Sequence, residues 1–157
     1  DFTAYIKPTS TPIKIHLQGP YAGALMNDQL RSASPVLIPT TEPYTALGYT
    51  HLKGGGGETC DASVFAVTGN DAIVDWVFLE VRSALNIDSV VTTSSGLVQR
   101  DGDVISPTGD TLITFENTRF GDYYVAIRHR NHIGLTSKHP FTFELNNIPE
   151  KFYNLKI

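Results

Sequence analysis

The chain has 157 residues, of which 41% are hydrophobic and 18% charged, a composition that suits one globular domain with its own core. The net charge of −4 argues against a dedicated nucleic-acid-binding domain, which is usually basic overall, while the uneven spread of charge still allows a local basic patch. No apolar run is long enough for a membrane-spanning helix, and the single cysteine, Cys60, excludes an internal disulfide. We therefore expect one module over residues 1–157, with 1–12 and 147–157 as candidate boundary segments.

The first half of the chain predicts short elements separated by turns. Ile13–Leu17 alternates apolar and polar residues, which indicates a strand. Ala24–Arg31 is the best helical candidate in the sequence. Three prolines in Ser34–Tyr49 predict an extended segment on the surface. Gly54–Gly57 predicts either a flexible loop or a loop that another part of the backbone approaches closely.

The second half predicts strands joined by tight turns, with turn residues at Ser94–Gly96 and Arg100–Asp103. The expected strands are Ser63–Thr68, Ala72–Arg82, Ser89–Thr93, Leu97–Gln99, Val104–Ile105, Thr111–Glu116, Asp122–Arg130 and Phe141–Leu145. About eight short strands with at most one short helix predict an all-β fold. The expected architecture is an antiparallel β-sandwich, Ig-like or jelly-roll-like.

The strand Ala72–Arg82 is the longest and is apolar on both faces at its start. Strict alternation places Ile73, Val77, Leu79 and Val81 on one face with Asp75, and Val74, Trp76 and Phe78 on the other with Glu80 and Arg82. This pattern predicts a central strand that is covered on one face and partly exposed on the other.

Several local patterns resemble a domain that recurs in large exported proteins of bacteria, often near their C-terminal end. The matching pieces are Leu17–Tyr21, Leu25–Asp28, Ile38-Pro39, Glu42–Tyr44, Leu47-Gly48, Asn70–Val77, Leu97–Val104 and Gly121–Gly134. The resemblance implies a secreted accessory module with a β-sandwich fold, and it implies no reaction. The segment Thr114–Ile127 is also similar to the closing hairpin of prealbumin-like sandwiches, which concerns the fold alone.

A sheet face is the first candidate site, because the strands Ala72–Arg82 and Asp122–Arg130 could lie side by side. That face would present Trp76, Glu80, Arg82, Tyr124, Arg128 and Arg130. Aromatic rings stack on sugar rings, and arginine pairs with sulfate or carboxylate substituents. The face therefore predicts polysaccharide binding. In the alternative, Trp76 is a core residue and Glu80 with Arg128 only sets the strand register.

The loop after the second strand extends this candidate site with Asn131 and His132. A basic loop of this kind could bind an anionic glycan. Alternatively, His129, His132 and His139 could bind zinc, or the loop could be a corner whose side chains bond to backbone carbonyls. Alternation points His129 toward the core, which predicts a structural role for it.

Oxygen ligands for a structural calcium ion form another candidate site. The residues are Asn70, Asp71, Asp75, Asp101 and Asp103. Loops of β-sandwiches often hold calcium with such ligands. The alternative is that both groups only form turns. We expect no cofactor other than this ion.

Catalytic motifs are lacking in the sequence. Gly54–Gly57 has no following Lys-Ser/Thr, and there is no Gly-x-Ser-x-Gly motif. We therefore predict a non-catalytic carbohydrate-binding module, secreted or on the cell surface, belonging to a multidomain bacterial protein. Its expected partner is a polysaccharide, with neither nucleic acid nor a membrane span. The alternatives are a spacer or export-associated module without glycan affinity, and an enzyme with two facing carboxylates.

Overall fold

The computed structural model describes residues 9–116, 118–143 and 154–156, and the fold is all-β with one short helix, as predicted. The strands are β1 (Thr9–Thr11), β2 (Ile13–His16), β3 (Tyr21–Ala22), β4 (Leu25–Met26), β5 (Ile73–Ser83), β6 (Val90–Gln99), β7 (Asp103–Ile105), β8 (Ile113–Phe115), β9 (Gly121–His129), β10 (His132–Thr136), β11 (Phe141–Phe143) and β12 (Asn154–Lys156). The helix α1 spans Gln29–Ser32, and 3₁₀ turns span Ala62–Ala66 and Gly69–Asp71. Over the described ranges, no helix has the length and apolarity that a membrane crossing requires.

Eight strands form one curled sheet in the order β10-β9-β5-β6-β7-β2-β12, with β11 also paired to β9. All pairs are antiparallel except β12 with β2. Two ribbons, β1–β8 and β3–β4, complete the described strands. A sandwich is not confirmed, because the described residues show one large sheet with two small ribbons rather than two large facing sheets.

Apolar side chains cover both faces of this sheet. The first cluster contains Ile13, Ile15, Leu17, Met26, Val74, Val77, Leu79, Val81, Val98, Val104, Ile113, Phe115, Val125, Ile127, Phe141 and Phe143. The second contains Ile38, Tyr44, Cys60, Phe65, Ile73, Trp76, Phe78, Leu97 and Ile105. Strand β5 contributes to both clusters, and its residues are buried from Ile73 to Val81. The prediction that one of its faces is partly exposed therefore holds only at its C-terminal end.

A β-bulge at the start of β5 reverses the predicted faces of two residues. The register shifts between Ile73 and Asp75, so that one extra β5 residue is accommodated opposite β6. Ile73 consequently packs in the cluster of Trp76, and Val74 packs in the opposite cluster. Strict alternation was wrong for these two positions because the sequence gives no sign of the bulge.

Residues 35–66, which we call the covering segment, pack on the second face of the sheet. The prediction of a surface-bound segment was wrong in part, since Ile38 and Tyr44 are buried there. The Tyr44 hydroxyl donates a hydrogen bond to the backbone oxygen of Trp76, at 2.8 Å. The predicted strand at Ser63–Thr68 is instead a 3₁₀ turn, in which Phe65 is buried.

The predicted turn at Ser94–Gly96 lies in the middle of the continuous strand β6. Gly96 is required there by packing, because a Cβ at this position would lie 2.8 Å from Val104 Cγ1. The predicted helix at Ala24–Arg31 contains the strand β4 and three of the four residues of α1, so only its C-terminal part is helical.

The predicted boundary and closing segments fall partly outside the described residues. Within the described part, β11 matches the start of the expected strand Phe141–Leu145, while residues 144 and 145 lie outside it. Residues 1–8 and 147–153 also lie outside it. Strand β12 pairs with β2, so this part of the C-terminal segment belongs to the main sheet.

Candidate functional site

Strands β5 and β9 are neighbours, as the first candidate site requires. Their antiparallel register places Phe78 opposite Arg128 and Arg82 opposite Tyr124. The structure nevertheless separates the predicted ligand-binding residues into three environments: the core, a groove beside Arg128 and a cavity beside His132.

Trp76 and Arg130 are not available as a sugar-binding surface. Trp76 is completely buried under the covering segment, and its Nε1 donates to the backbone oxygen of Pro39 at 2.8 Å. Arg130 directs Nη2 to both carboxylate oxygens of the buried Asp75, each at 2.8 Å. The prediction that these two residues bind a ligand was wrong, because both side chains stabilise the fold.

The first concave site, which we call the Arg128 groove, lies between the covering segment and the C-terminal half of β5. It has a volume of about 470 Å³. The covering segment contributes Leu47, Tyr49 and Leu52, and the sheet contributes Phe78, Glu80, Arg82 and Arg128. Leu47 and Leu52 are exposed, so the groove has apolar surface beside its charged groups.

The charged groups of the Arg128 groove are organised around the buried carboxylate of Glu80. Its Oε1 forms an ion pair with Arg128 Nε, at 2.7 Å, and its Oε2 accepts a hydrogen bond from Arg82 Nε at 2.8 Å. Arg82 also donates from Nη1 to the backbone oxygen of Ile87. The Arg128 side chain is 49% exposed, and no described residue accepts from its terminal amino groups. Two guanidinium groups and one carboxylate leave one positive charge here.

Tyr124 borders this arrangement without lining the groove. It is half-buried and lies opposite Arg82 in the strand register. Of the residues predicted for the sheet face, Glu80, Arg82 and Arg128 thus form one site, while Tyr124 lies beside it.

The second concave site, which we call the His132 cavity, lies between residues 17–30 and the turn from β9 to β10. Its volume is about 420 Å³. Asn131 and His132, both predicted as ligand-binding residues, line it together with Tyr21, Asn27 and Gln29. The sequence therefore located part of this site, although not the side that residues 17–30 contribute.

A hydrogen-bonded chain leads from the protein interior to this cavity. His129 Nε2 lies 3.2 Å from Asp75 Oδ2, and both side chains are buried. His132 Nδ1 lies 2.8 Å from His129 Nδ1, which also accepts the Asn131 N–H at 3.1 Å. The prediction that His129 points to the core and has a structural role is confirmed.

The partners of each ring nitrogen assign the protons in this chain. Because His129 Nδ1 accepts two hydrogen bonds, its proton lies on Nε2 and is donated to Asp75. His132 then carries its proton on Nδ1, so its Nε2 is a hydrogen-bond acceptor.

The pKa values of this chain favour the same protonation state. Burial would raise the pKa of Asp75, but the His129 hydrogen bond, the Arg130 charge and the Trp76 N–H hold it below 3.8. Burial, and then the charge that His129 would carry, lower the pKa of His132 below 6.5, against the smaller influence of Asp75. Asp75 is therefore ionised and His132 neutral near pH 7.

The predicted calcium ligands do not converge. Asp75 is occupied by His129 and Arg130, and Asp103 lies 2.9 Å from Lys14 Nζ, which is also 3.9 Å from Asp101. Asn70 and Asp71 lie in the exposed 3₁₀ turn before β5. The predicted calcium site was wrong, because Arg130 and Lys14 already compensate the carboxylates of Asp75, Asp101 and Asp103. Among the described residues, no group of three or more His, Cys, Asp or Glu could hold a metal ion, His139 included.

No protein-family model matches the chain, and neither a curated protein nor a solved structure matches it. The resemblance to an exported accessory domain therefore stays a prediction.

Sequence reasoning missed the residues that complete both concave sites. They are Leu47, Tyr49 and Leu52 in the groove, and Tyr21, Asn27 and Gln29 in the cavity. All six precede β5 in the chain and reach their sites through long connections. The only local signal was the polar and aromatic content of residues 17–30, which alone predicts no site.

Proposed function

We propose that this chain is a non-catalytic carbohydrate-binding module whose Arg128 groove binds an acidic polysaccharide. The proposal depends on one observation, which is how Arg128 is bound within the protein. Glu80 holds this side chain through Nε, and no described residue takes up its terminal amino groups.

The ion pair between Nε and the buried Glu80 carboxylate restrains the Arg128 guanidinium before a ligand arrives. The remaining edge, formed by Nη1 and Nη2, has the fork geometry that pairs with a carboxylate or a sulfate group. A side chain that is already oriented loses less conformational entropy on binding. Arg82 has a different role from Arg128. Its guanidinium donates to Glu80 and to the backbone oxygen of Ile87, so fewer of its N–H groups are available to a ligand.

The apolar surface of the groove suits the C–H groups of a sugar ring, while Arg128 suits its acidic substituent. Tyr49, Leu47 and Leu52 border the charged groups, and a pyranose ring presents C–H groups beside its hydroxyls. Sites that combine apolar walls with a few oriented polar groups are typical for small ligands. A uronic acid or a sulfated sugar would match both parts of the groove.

The wider setting of this function is also a proposal. The residues that resemble the exported accessory domain include Gly121–Gly134, which supplies Arg128. This resemblance supports a module of a secreted or surface-exposed bacterial protein with several domains. The polysaccharide would then be an extracellular one.

A spacer or export-associated module without glycan affinity remains the second candidate function. It is favoured by Trp76 and Arg130, which are used for the fold rather than presented to a ligand. It predicts that no polysaccharide binds to the folded chain.

The substitution Arg128→Gln tests the proposed function. Loss of a charge-assisted hydrogen-bonding pair costs about 1.5–3 kcal/mol, so we expect affinity for the acidic polysaccharide to fall roughly 10- to 100-fold. Binding would first be sought by calorimetry with polygalacturonate, alginate and chondroitin sulfate, with dextran as the neutral comparison.

The matched control is Arg119→Gln, since Arg119 is an exposed arginine just before β9 and the change in net charge is the same. Affinity should stay within about twofold in this variant. An equal loss in both variants would show binding by overall charge. No binding of the wild-type chain to any of the acidic polymers would favour the spacer.

A further inference from the structure

The His132 cavity is explained neither by the stability of the fold nor by the Arg128 groove. A buried carboxylate controls, through two hydrogen bonds, which nitrogen of an imidazole at the cavity wall carries a proton. The result is a fixed acceptor, His132 Nε2, beside a space of about 420 Å³. That volume lies in the range of about 300–1,000 Å³ typical for small-molecule sites.

The charges around the cavity compensate one another without a ligand. Asp75 is paired with Arg130 Nη2 and also accepts from His129 and from the Trp76 N–H. No Lys, Arg or Glu lines the cavity, and Asp75 is its one acidic lining residue among those described. A neutral ligand therefore suits the cavity better than a charged one.

The other polar side chains that line the cavity, apart from Asp75 and His129, are neutral and can both donate and accept. They belong to Tyr21, Asn27, Gln29 and Asn131. The Asn27 Oδ1 accepts the Gln29 N–H at 2.9 Å, so the amide NH₂ of Asn27 is a donor. Pro20 and Leu30 add apolar surface. Several neutral hydrogen-bonding groups beside apolar walls match the hydroxyls and the C–H groups of an uncharged sugar.

We propose that the His132 cavity is a second binding site, which takes a neutral sugar residue whose hydroxyl group donates a hydrogen bond to His132 Nε2. This site is separate from the Arg128 groove, and it requires no ligand in that groove. The chain would thus bind two kinds of sugar at two places along β5 and β9.

Gly19 offers a way to block the acceptor without disturbing the hydrogen-bonded chain. A Cβ at this position would lie 3.3 Å from His132 Nε2 and 3.9 Å from Cε1. The Gly19 backbone is not in the left-handed region, so alanine can adopt its conformation. The Gly19→Ala methyl group would therefore occupy the place where a hydroxyl meets Nε2, while His132 Nδ1 keeps its bond to His129.

The experiment is a titration of the ¹⁵N-labelled chain with methyl glycosides of glucose, galactose, mannose and N-acetylglucosamine, observed by NMR of the histidine side chains. In the free chain at pH 7, His132 should show a protonated Nδ1 and an unprotonated Nε2. At least one glycoside should shift the Nε2 signal in a saturable way, with a Kd of roughly 1 mM, ordinary for so small a ligand. Gly19→Ala should weaken this binding about tenfold or more.

Two controls separate this site from its surroundings. Gln18→Ala changes an exposed neighbour that does not line the cavity, and it should leave the glycoside Kd unchanged. Arg128→Gln should also leave it unchanged, which distinguishes failure of this site from failure of the Arg128 groove. A His132→Leu variant, checked for folding by its backbone spectrum, should lose the binding completely.

Three results would overturn the proposal. The first is that no neutral glycoside shifts the His132 signals at about 100 mM, a hundredfold excess over the expected Kd. The second is that Gly19→Ala binds as tightly as the wild type. The third is that only methyl glucuronide, the charged comparison, binds in the cavity.

Discussion

Asp75 is the residue on which the interior and the His132 cavity both depend. Its carboxylate is buried, and it accepts hydrogen bonds from Arg130, from His129 and from the Trp76 N–H. Burying a carboxylate costs several kcal/mol unless such partners replace the lost water. A single side chain therefore neutralises Arg130, orients His129 and fixes the tautomer of His132.

The substitution Asp75→Asn tests this role. It would leave the Arg130 guanidinium without its ionic partner, so we expect the free energy of unfolding to fall by about 3–5 kcal/mol. Urea denaturation at pH 7 measures this change. The same substitution at the exposed Asp88 should cost less than about 0.5 kcal/mol, and similar losses in both variants would contradict the assigned role.

At the scale of single elements, the strands that the sequence predicted best are those defined by local patterns. The alternation in Asp122–Arg130 matches the buried residues Val125, Ile127 and His129 of β9. Alternation is local, because successive side chains of any strand point to opposite faces. The Arg128 side chain could be assigned to the correct face for the same reason.

The elements that the sequence predicted wrongly depend on contacts far along the chain. Gly96 suggested a turn, but it is needed because Val104 and Ile113 approach β6 at that point. Trp76 suggested a binding surface, but it is covered by Tyr44, which lies 32 residues earlier. No local pattern contains these partners, so neither outcome could be predicted from the sequence.

The substitution Gly96→Ala tests the packing of β6. Its methyl group would lie 2.8 Å from Val104 Cγ1 and 3.1 Å from the Ile105 backbone oxygen. Overpacking of this kind should lower the free energy of unfolding by about 1–3 kcal/mol. Thermal and urea denaturation measure it.

Gly19→Ala is the matched control for Gly96→Ala, since its Cβ would lie 3.3 Å from the nearest atom, His132 Nε2, compared with 2.8 Å at Gly96. It should change stability by less than about 0.5 kcal/mol. An equally stable Gly96→Ala variant would show that β6 and β7 can separate without cost.

At the scale of the whole molecule, the sheet separates two apolar clusters that share strand β5. The His132 cavity lies near the beginning of β5 and the Arg128 groove near its end. Each site combines one side of this rigid strand pair with residues from an earlier connection. Rigid strands on one side of each site favour a preformed geometry.

The stability of the whole fold should depend on pH in two steps. Since the pKa of His132 is lowered on folding, the unfolded chain binds more protons below about pH 6.5, and stability falls as the pH is lowered from 7. The pKa values of Asp75, Glu42 and Asp28 are also lowered. Their contribution is present above the ordinary carboxylate pKa of about 4 and is lost below it.

Urea denaturation at pH 7.5, 5.5 and 3 would resolve the two steps. The variant His132→Gln should lose the first step and keep the second. Unchanged stability of the wild type between pH 7.5 and 5.5 would contradict the effect of His132.

The covering segment precedes β5 in the chain, although it packs on β5. During synthesis, Tyr44 leaves the ribosome 32 residues ahead of Trp76, an interval of a few seconds at about 5–20 residues per second. Throughout that interval Ile38 and Tyr44 have no sheet to pack against. The second apolar cluster can therefore form only after β5 has been synthesised, and until then the covering segment stays accessible to chaperones and proteases.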